Sequence, residues 1–120
     1  PGKLLIMLYD GAINNVEKAI ENIDNQQVAE AHKHIIKAQD IILELRNTLN
    51  MDYSISVSLR DMYDYLHLQL VQANIHKDKA LLAEILPFLI ELRDTWQQAV
   101  RLAGSTSAMR EQLHYVNIMG

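Results

Sequence analysis

The sequence predicts an all-α protein, an antiparallel up-down-up-down four-helix bundle, on three observations. Its 120 residues are 49% hydrophobic, and apolar residues recur every three or four positions, which places them on one helical face. Between Ala12 and Ala103 there is no glycine and one proline, Pro87, so the residues that mark β-hairpins and loops are nearly missing there. A chain of this length can bury a core without disulfide bonds or metal, so we expect a single domain.

Two helices are predicted in the first half of the chain, from about residue 3 to residue 23 and from about residue 26 to residue 49. Asp24 and Asn25 separate them. The apolar stripe of helix 1 comprises Leu5, Leu8, Ala12, Val16, Ala19 and Ile23. Helix 2 alternates spacings of three and four, as is typical of a bundle seam. Its stripe comprises Val28, Ala31, Ile35, Ala38, Ile42, Leu45 and Leu49.

A third helix is predicted after a loop at residues 50–54. Asn50 suits the left-handed position that follows a helix, and Ser54 or Ser56 suits the N-cap of the next one. The helix is expected to end near residues 74–77. Its stripe comprises Leu59, Met62, Leu66, Leu70 and Ala73.

A fourth helix is predicted between Asp78, which can cap its start, and the stop signal at Gly104. Its stripe comprises Leu82, Ile85, Leu89, Leu92, Trp96, Ala99 and Ala103. Pro87 lies inside this pattern, where a proline deletes one intrahelical hydrogen bond. We therefore expect a kink near residues 83–86, or a helix that begins later than the pattern suggests.

The predicted domain comprises the bundle at residues 1–104 and, within the same domain, a tail or short fifth helix at residues 105–120. Ser105 and Ser107 lie where they can cap such a helix. The residues expected on its apolar face are Met109, Leu113 and Val116.

Charge and composition exclude several classes of function. The formal net charge is −4 and no basic cluster stands out, so nucleic acid is not an expected partner. No apolar run reaches the roughly 20 residues that span a bilayer, and we expect no membrane insertion. The absence of cysteine excludes disulfides and thiolate metal sites and fits a cytoplasmic location.

Two acid-x-x-His pairs, Asp64 with His67 and Glu111 with His114, have the spacing of ligand pairs in di-iron bundles. Relative to Leu66, however, Asp64 falls about 160° away and His67 about 100° away, and the second pair repeats this offset. They are expected to be solvated rather than to bind metal. Because glycine-rich phosphate loops and nucleophile elbows are also missing, we expect no cofactor and no enzymatic activity.

One candidate for chemistry is His34. The run His34-Ile35-Ile36-Lys37-Ala38 resembles the His-x-x-Lys-Gly box of histidine phosphotransfer domains, which are also four-helix bundles. Here Ala38 replaces the glycine, and His34 lies only about 40° from the Ala38 seam. A phosphotransfer domain centred on His34 is therefore an alternative function, against a bundle-edge histidine with a hydrogen-bond partner.

Apolar residues also occur away from the core stripes. Ile36 and Leu43 lie about 160° and 140° from Ala38 on helix 2, and helix 1 opens with an apolar run at residues 4–9. On helix 3 the corresponding back face carries Leu68, Val71 and Ile75. Such residues indicate either a surface for a partner helix or a face covered by another segment of the chain. A generic homodimeric scaffold that uses the same faces for self-association is a further alternative.

At these segments the chain resembles the flagellin-specific export chaperones of the FliS family. The matching segments are residues 4–12 with Met7-Leu8-Tyr9-Asp10-Gly11, residues 37–45 with Leu49, Met62-Tyr63-Asp64-Tyr65-Leu66, Ala73-Asn74-Ile75 with Asp78, and Leu92-Arg93-Asp94-Thr95-Trp96. The resemblance implies an antiparallel bundle that binds the disordered C-terminal segment of flagellin in the cytosol. It further implies that this prevents premature polymerisation and that the complex is presented to the flagellar type III export gate.

On this resemblance we expect a client-binding groove over helices 2 and 3, with help from helix 1 and the end of helix 4. The predicted client-binding residues are Met7, Tyr9, Ile36, Gln39, Asp40, Leu43, Asn47, Tyr63, Tyr65, Leu68, Val71 and Ile75. Among them, the three tyrosines are expected at the groove or at its edge with their hydroxyls exposed. Trp96 is expected in the core.

Overall fold

The computed structural model describes residues 2–103, which form four helices and no strand. The helices are α1 (Gly2–Asp24), α2 (Val28–Asn47), α3 (Ser54–His76) and α4 (Lys79–Ala103). The predicted all-α class and four-helix bundle are confirmed, and the predicted helix ends lie within a few residues of these bounds. The predicted fifth helix at residues 105–120 lies outside the described residues.

Each helix packs on the next one in the chain, and α4 packs back on α1. The direction of the helices follows from contacts between their ends. Gly2 at the start of α1 lies against Val100 near the end of α4, whereas Asp24 at the end of α1 pairs with Lys79 at the start of α4, 2.6 Å apart. These two helices are therefore antiparallel.

The same test applies to α2 and α3. His32 near the start of α2 hydrogen bonds with Asn74 near the end of α3, while Arg46 at the end of α2 pairs with Asp64 in α3. These exposed pairs add little to stability. They nevertheless show that the two helices run in opposite directions, as an up-down-up-down bundle requires.

The core combines large aliphatic side chains with alanines. The buried aliphatic residues are Leu5, Ile13, Val16, Ile35, Ile42, Leu45, Leu59, Leu66, Leu70, Leu82, Ile85 and Leu89. The buried alanines are Ala12, Ala19, Ala31, Ala38 and Ala73, which let helices approach one another closely. Burial of each large side chain contributes about 1.5–3 kcal/mol, so these stripes supply most of the drive to fold.

Two tyrosines cross the core between helices that do not otherwise touch. Within residues 2–103, α1 and α3 lie on the diagonal of the bundle and share no close backbone approach. The hydroxyls of Tyr9 and Tyr63 meet between them at 2.7 Å, and both side chains are fully buried. The indole of Trp96 on α4 lies beside the Tyr9 hydroxyl and acts to lower its pKa. The buried bond therefore joins α1 to α3, and half-buried Trp96 of α4 lies next to it.

Burial of these phenols changes their acidity. Removal from water disfavours a charged phenolate. Desolvation therefore raises the pKa of Tyr9 from 10.0 to about 12. The same effect, together with the neighbouring Tyr9 oxygen, raises the pKa of Tyr63 well above its ordinary value.

The connections between helices are short, and two of the predicted caps differ from the structure. Asp78 accepts a hydrogen bond from the Leu81 amide at 3.1 Å and so caps α4 as predicted, after Lys77 ends α3 in the left-handed conformation. The prediction of a left-handed Asn50 is wrong, because no positive φ occurs there. Asn50 forms an Asx turn instead, in which its side-chain oxygen accepts from the Asp52 amide at 3.0 Å.

The predicted serine cap of α3 is also wrong. The residue at the N-cap position is Tyr53, and no side chain caps the helix from there. Ser56 is buried and donates its hydroxyl hydrogen bond to the carbonyl of Asn50 at 2.6 Å. Its hydroxyl therefore ties the start of α3 to the preceding turn.

Pro87 lies inside α4, which runs from Lys79 to Ala103. The prediction of a later start is therefore wrong. The proline leaves the carbonyl of Ala83 without its usual intrahelical donor. Because Ala83 and Pro87 are both exposed, water can replace that donor. Trp96 is half-buried against the core.

We predict that Tyr9→Phe lowers the free energy of unfolding by about 1–2 kcal/mol, because the buried partners of its hydroxyl lose a hydrogen bond. The double variant with Tyr63→Phe should cost about 1 kcal/mol less than the sum of the single variants, since the shared bond is lost only once. Urea denaturation followed by circular dichroism measures both. Tyr65→Phe, at an exposed tyrosine, is the control and should change stability by less than about 0.5 kcal/mol. If the double variant lost as much stability as the two single variants together, the two hydroxyls would not share a direct hydrogen bond.

We also predict a loss of stability between pH 10 and pH 12. Below pH 10 the folded and unfolded chains both keep these phenols protonated, so their contribution to stability is complete. Above it the unfolded chain releases protons that the folded chain retains, and each buried phenol costs about 1.4 kcal/mol per pH unit. Denaturation across this interval should show a steeper decline for the wild type than for Tyr9→Phe/Tyr63→Phe. If stability fell equally with pH in the wild type and in the double variant, the loss could not be assigned to these two phenols.

Candidate partner-binding surface

The structure offers little material for catalysis or metal binding. Within residues 2–103, no three His, Asp or Glu side chains lie close enough together to hold a metal ion. Asp64 is exposed and paired with Arg46, and His67 is half-buried. Glu111 and His114 lie outside the described residues.

His34 occupies the edge of the bundle and has a hydrogen-bond partner. Its Nδ1 lies 2.8 Å from Oδ1 of Asn15 on α1. Since the Asn15 amide nitrogen donates to the carbonyl of Gly11 at 2.8 Å, Oδ1 is the acceptor and Nδ1 of His34 carries the proton. The half-buried imidazole thus joins α2 to α1.

The flank of α2 that faces α3 is marked by the two residues that bond across to that helix, His32 and Arg46. Between them Ile36, Gln39 and Leu43 continue the same row at spacings of four, three, four and three residues, so they share this flank. All three are half-buried. The sequence had placed Ile36 and Leu43 almost opposite the core seam, whereas the structure places them in the groove between α2 and α3.

The facing flank of α3 is identified in the same way. Asp64 and Asn74 bond to α2, and His67 and Val71 fall on the row between them, both half-buried. Val71 therefore faces the groove that holds Ile36 and Leu43. Apolar residues of both helices therefore lie along this seam, interrupted by Gln39 and His67.

The outer crests of both helices border the groove. Leu68 and Ile75 on α3 are 53% and 64% exposed, although both are large apolar residues. On α2 the crest carries exposed Asp40 and Asn47. We call the groove and these two crests the α2–α3 surface. It brings together Ile36, Gln39, Asp40, Leu43, Asn47, Leu68, Val71 and Ile75.

Tyr65 lies on the other side of α3. It is 59% exposed and, together with Gln69, lines a cavity of about 200 Å³ between α3 and α4. Phe88 of α4 forms the opposite wall and is itself exposed. Phe88 was not among the predicted residues, although its position off the α4 stripe and directly after Pro87 was a usable signal.

Met7 lies on a separate groove between the start of α1 and the end of α4, which we call the α1–α4 groove. This cavity of about 510 Å³ is lined by Lys3, Ile6, Met7, Gln97, Val100 and Arg101. The Met7 side chain is 63% exposed. The α1–α4 and α2–α3 seams lie on opposite sides of the bundle, so Met7 does not belong to the α2–α3 surface.

The prediction that Tyr9 and Tyr63 expose their hydroxyls is wrong. Both are fully buried and bond to each other, so neither presents a surface to a partner in this packing. Tyr9 lies one turn after Leu5, and Tyr63 lies midway between Leu59 and Leu66, so each falls on a core stripe. The stripe spacing was the signal, but a tyrosine ordinarily needs a polar partner, and that partner lies on another helix.

Gln39 has an unusual environment for a groove residue. Its Oε1 is buried and, within the described residues, has no hydrogen-bond partner. A buried acceptor that gives up water without a replacement costs about 1–3 kcal/mol. The groove therefore contains a polar group that contributes nothing to the stability of the bundle alone.

We predict that Gln39→Met raises the free energy of unfolding by about 1 kcal/mol, because it removes this acceptor and keeps a side chain of similar length. Urea denaturation is the measurement. Gln72→Met, at an exposed position of α3, should stay within about 0.5 kcal/mol of the wild type. A less stable Gln39→Met variant would show that the amide is satisfied in solution.

Comparison with known proteins gives a consistent result. The model of the family described as "Flagellar protein FliS" matches residues 1–103. The flagellar secretion chaperone FliS of Bacillus subtilis (strain 168) is 42% identical over 101 residues, which cover 84% of this chain and 76% of that protein. The flagellar secretion chaperone FliS of Vibrio cholerae is 29% identical over 100 residues, covering 82% and 74%. FliSB of Pseudomonas aeruginosa is 30% identical over 98 residues, covering 80% and 78%.

Proposed function

Because this chain belongs to the FliS family of flagellar secretion chaperones, we propose that it binds the disordered C-terminal segment of flagellin in the bacterial cytosol. By holding that segment it prevents premature polymerisation and delivers flagellin to the flagellar type III export apparatus. No enzymatic step and no cofactor is part of this function. We propose further that residues 1–104 act as one bundle domain, and that 105–120 belongs to it.

The observation that carries the proposal is the apolar α2–α3 surface. Ile36, Leu43 and Val71 form a half-buried floor, and Leu68 and Ile75 stand exposed beside it. None of these residues is part of the buried core. A row of apolar side chains along a helical seam suits an amphipathic helix that lays its apolar face into the groove.

The surface also has groups that suit a client backbone. Asp40 and Asn47 on the α2 crest offer acceptors, and Gln39 holds an amide within the groove. A segment that folds as it binds has to offset its ordering entropy, so a long contact along both helices is required. We propose that the client extends from this surface past Tyr65 toward α4.

Binding of this kind explains how a bundle can block assembly without chemistry. An amphipathic flagellin helix whose apolar face is buried on the chaperone cannot offer that face to another flagellin subunit. Release at the export apparatus then restores the assembly-competent segment. The residues that carry this role are contact residues, and the bundle acts as their rigid scaffold.

No described helix is long and apolar enough to cross a membrane. The surface charges are mixed and the formal net charge is −4. We propose a homodimer only as a competing use of the same surface, which client binding would displace.

We predict that Leu68→Asp and Ile75→Asp each weaken binding of a synthetic flagellin C-terminal peptide by at least about tenfold, since each places a charge where an apolar contact is buried. Isothermal titration calorimetry measures the affinity, and circular dichroism checks the fold. Leu4→Asp is the matched control, because Leu4 is 50% exposed and lies on α1, which shares no close backbone approach with α3 within residues 2–103. Unchanged affinity in both α3 variants would sink the assignment of this surface.

A further inference from the structure

The α1–α4 groove is an apolar opening that the bundle itself does not fill. Ile6, Met7 and Val100 supply its apolar lining, and the charged residues Lys3 and Arg101 stand at its rim. Neither Lys3 nor Arg101 forms an ion pair with any other residue in the range 2–103. Toward the middle of the bundle, the ion pair between Asp10 and Arg93, 2.9 Å long, closes the same seam.

We propose that residues 105–120 of this chain occupy the α1–α4 groove as a short amphipathic helix. This inference is independent of the proposed flagellin binding. The segment follows α4 directly, and α4 reaches Ala103 only three residues after Val100 and two after Arg101, which line the groove. The segment is therefore covalently attached within a few residues of the groove.

The sequence between α4 and the proposed helix suits a reversal of direction. Gly104 can adopt the left-handed conformation that ends a helix, and Ser105, Thr106 and Ser107 can cap the next one. A helix that begins after such a turn runs back along α4, over the groove. The proposal places Met109, the first large apolar residue after this turn, at the level of Val100.

The lengths of the two partners also match. Met109, Leu113 and Val116 share one helical face and span about 10 Å at 1.5 Å per residue. Lys3, Ile6 and Met7 line the groove on α1, and the Asp10–Arg93 ion pair closes the seam seven residues after Lys3, the number that also separates Met109 from Val116. Three apolar side chains at this spacing can cover Ile6 and Met7.

The short tether makes weak contacts sufficient. A segment held within a few residues of its site experiences an effective concentration on the order of millimolar. Docking with a millimolar intrinsic affinity is therefore already substantially populated. A modest apolar contact over Met7 and Val100 meets this requirement.

The full chain contains no cysteine, so a pair of introduced thiols reports docking directly. We choose Gln97→Cys, an exposed residue of the groove, and Gln112→Cys, beside the apolar face of the tail. Both leave the apolar contacts unchanged. The equilibrium between the dithiol and the intramolecular disulfide is measured in glutathione buffer at about 1 µM protein, and it gives the effective concentration of the pair.

The controls are made in this two-cysteine protein, so the tether stays constant. We expect Met109→Ser/Leu113→Ser to lower the effective concentration by at least about tenfold, and Met7→Ser to lower it as well. Ile118→Ser removes an apolar residue on the opposite face and should leave it within about twofold. An unchanged value in the Met109→Ser/Leu113→Ser variant would overturn the proposal. Disulfide-linked dimers would also overturn it, because they would assign the groove to a second copy.

Discussion

The hydrogen bond between Tyr9 and Tyr63 is the interaction on which the arrangement of the bundle depends. It joins α1 and α3 across the diagonal, where no backbone contact within residues 2–103 joins them. Two phenol rings end to end hold these helices apart at this level, while the buried alanines elsewhere permit close approach. Because a buried hydroxyl must be paired, the bond also fixes the axial position of α1 relative to α3.

This central constraint explains why grooves remain on the outside. The core stripe of each helix is narrow. Side chains beside the stripe are only partly covered, by the residues of the neighbouring helix. Ile36 and Leu43 on α2 and Val71 on α3 are half-buried for this reason. The polar contacts that His32 and Arg46 make with α3 lie along that seam. Half-buried apolar residues beside these polar contacts form a surface on which the helix of a partner can pack.

The fold was predictable because the spacing of apolar residues indicates which face of a helix is buried. The prediction was wrong at Val28, which belongs to the predicted helix 2 stripe but is 56% exposed. The candidate surface was predictable only in part. Leu68 and Ile75 lie far from any stripe and are exposed as expected. The residues that Ile36 faces depend on which helix packs beside α2, and the sequence does not indicate that helix. The position of Tyr9 one turn after Leu5 was a signal for its burial, but the hydroxyl that satisfies it lies 54 residues away and could not be predicted. The predictions for Asn50 and Ser56 failed because their side chains bond within the α2–α3 turn, Asn50 to the Asp52 amide and Ser56 to the Asn50 carbonyl.

The two apolar grooves lie on separate seams, and this separation limits how they can influence each other. A segment bound in the α1–α4 groove does not obstruct the α2–α3 surface. It can compete with a client bound there only if that client is long enough to reach both grooves. The Tyr9–Tyr63 bond does connect α1 and α3, and Trp96 of α4 lies beside Tyr9. Coupling through it would need a second arrangement of these side chains whose population a ligand could shift. A fully buried, mutually bonded pair resists such rearrangement, because breaking it leaves polar groups without partners. The bundle therefore acts as a rigid template, and any communication between its grooves passes through the bound segments themselves.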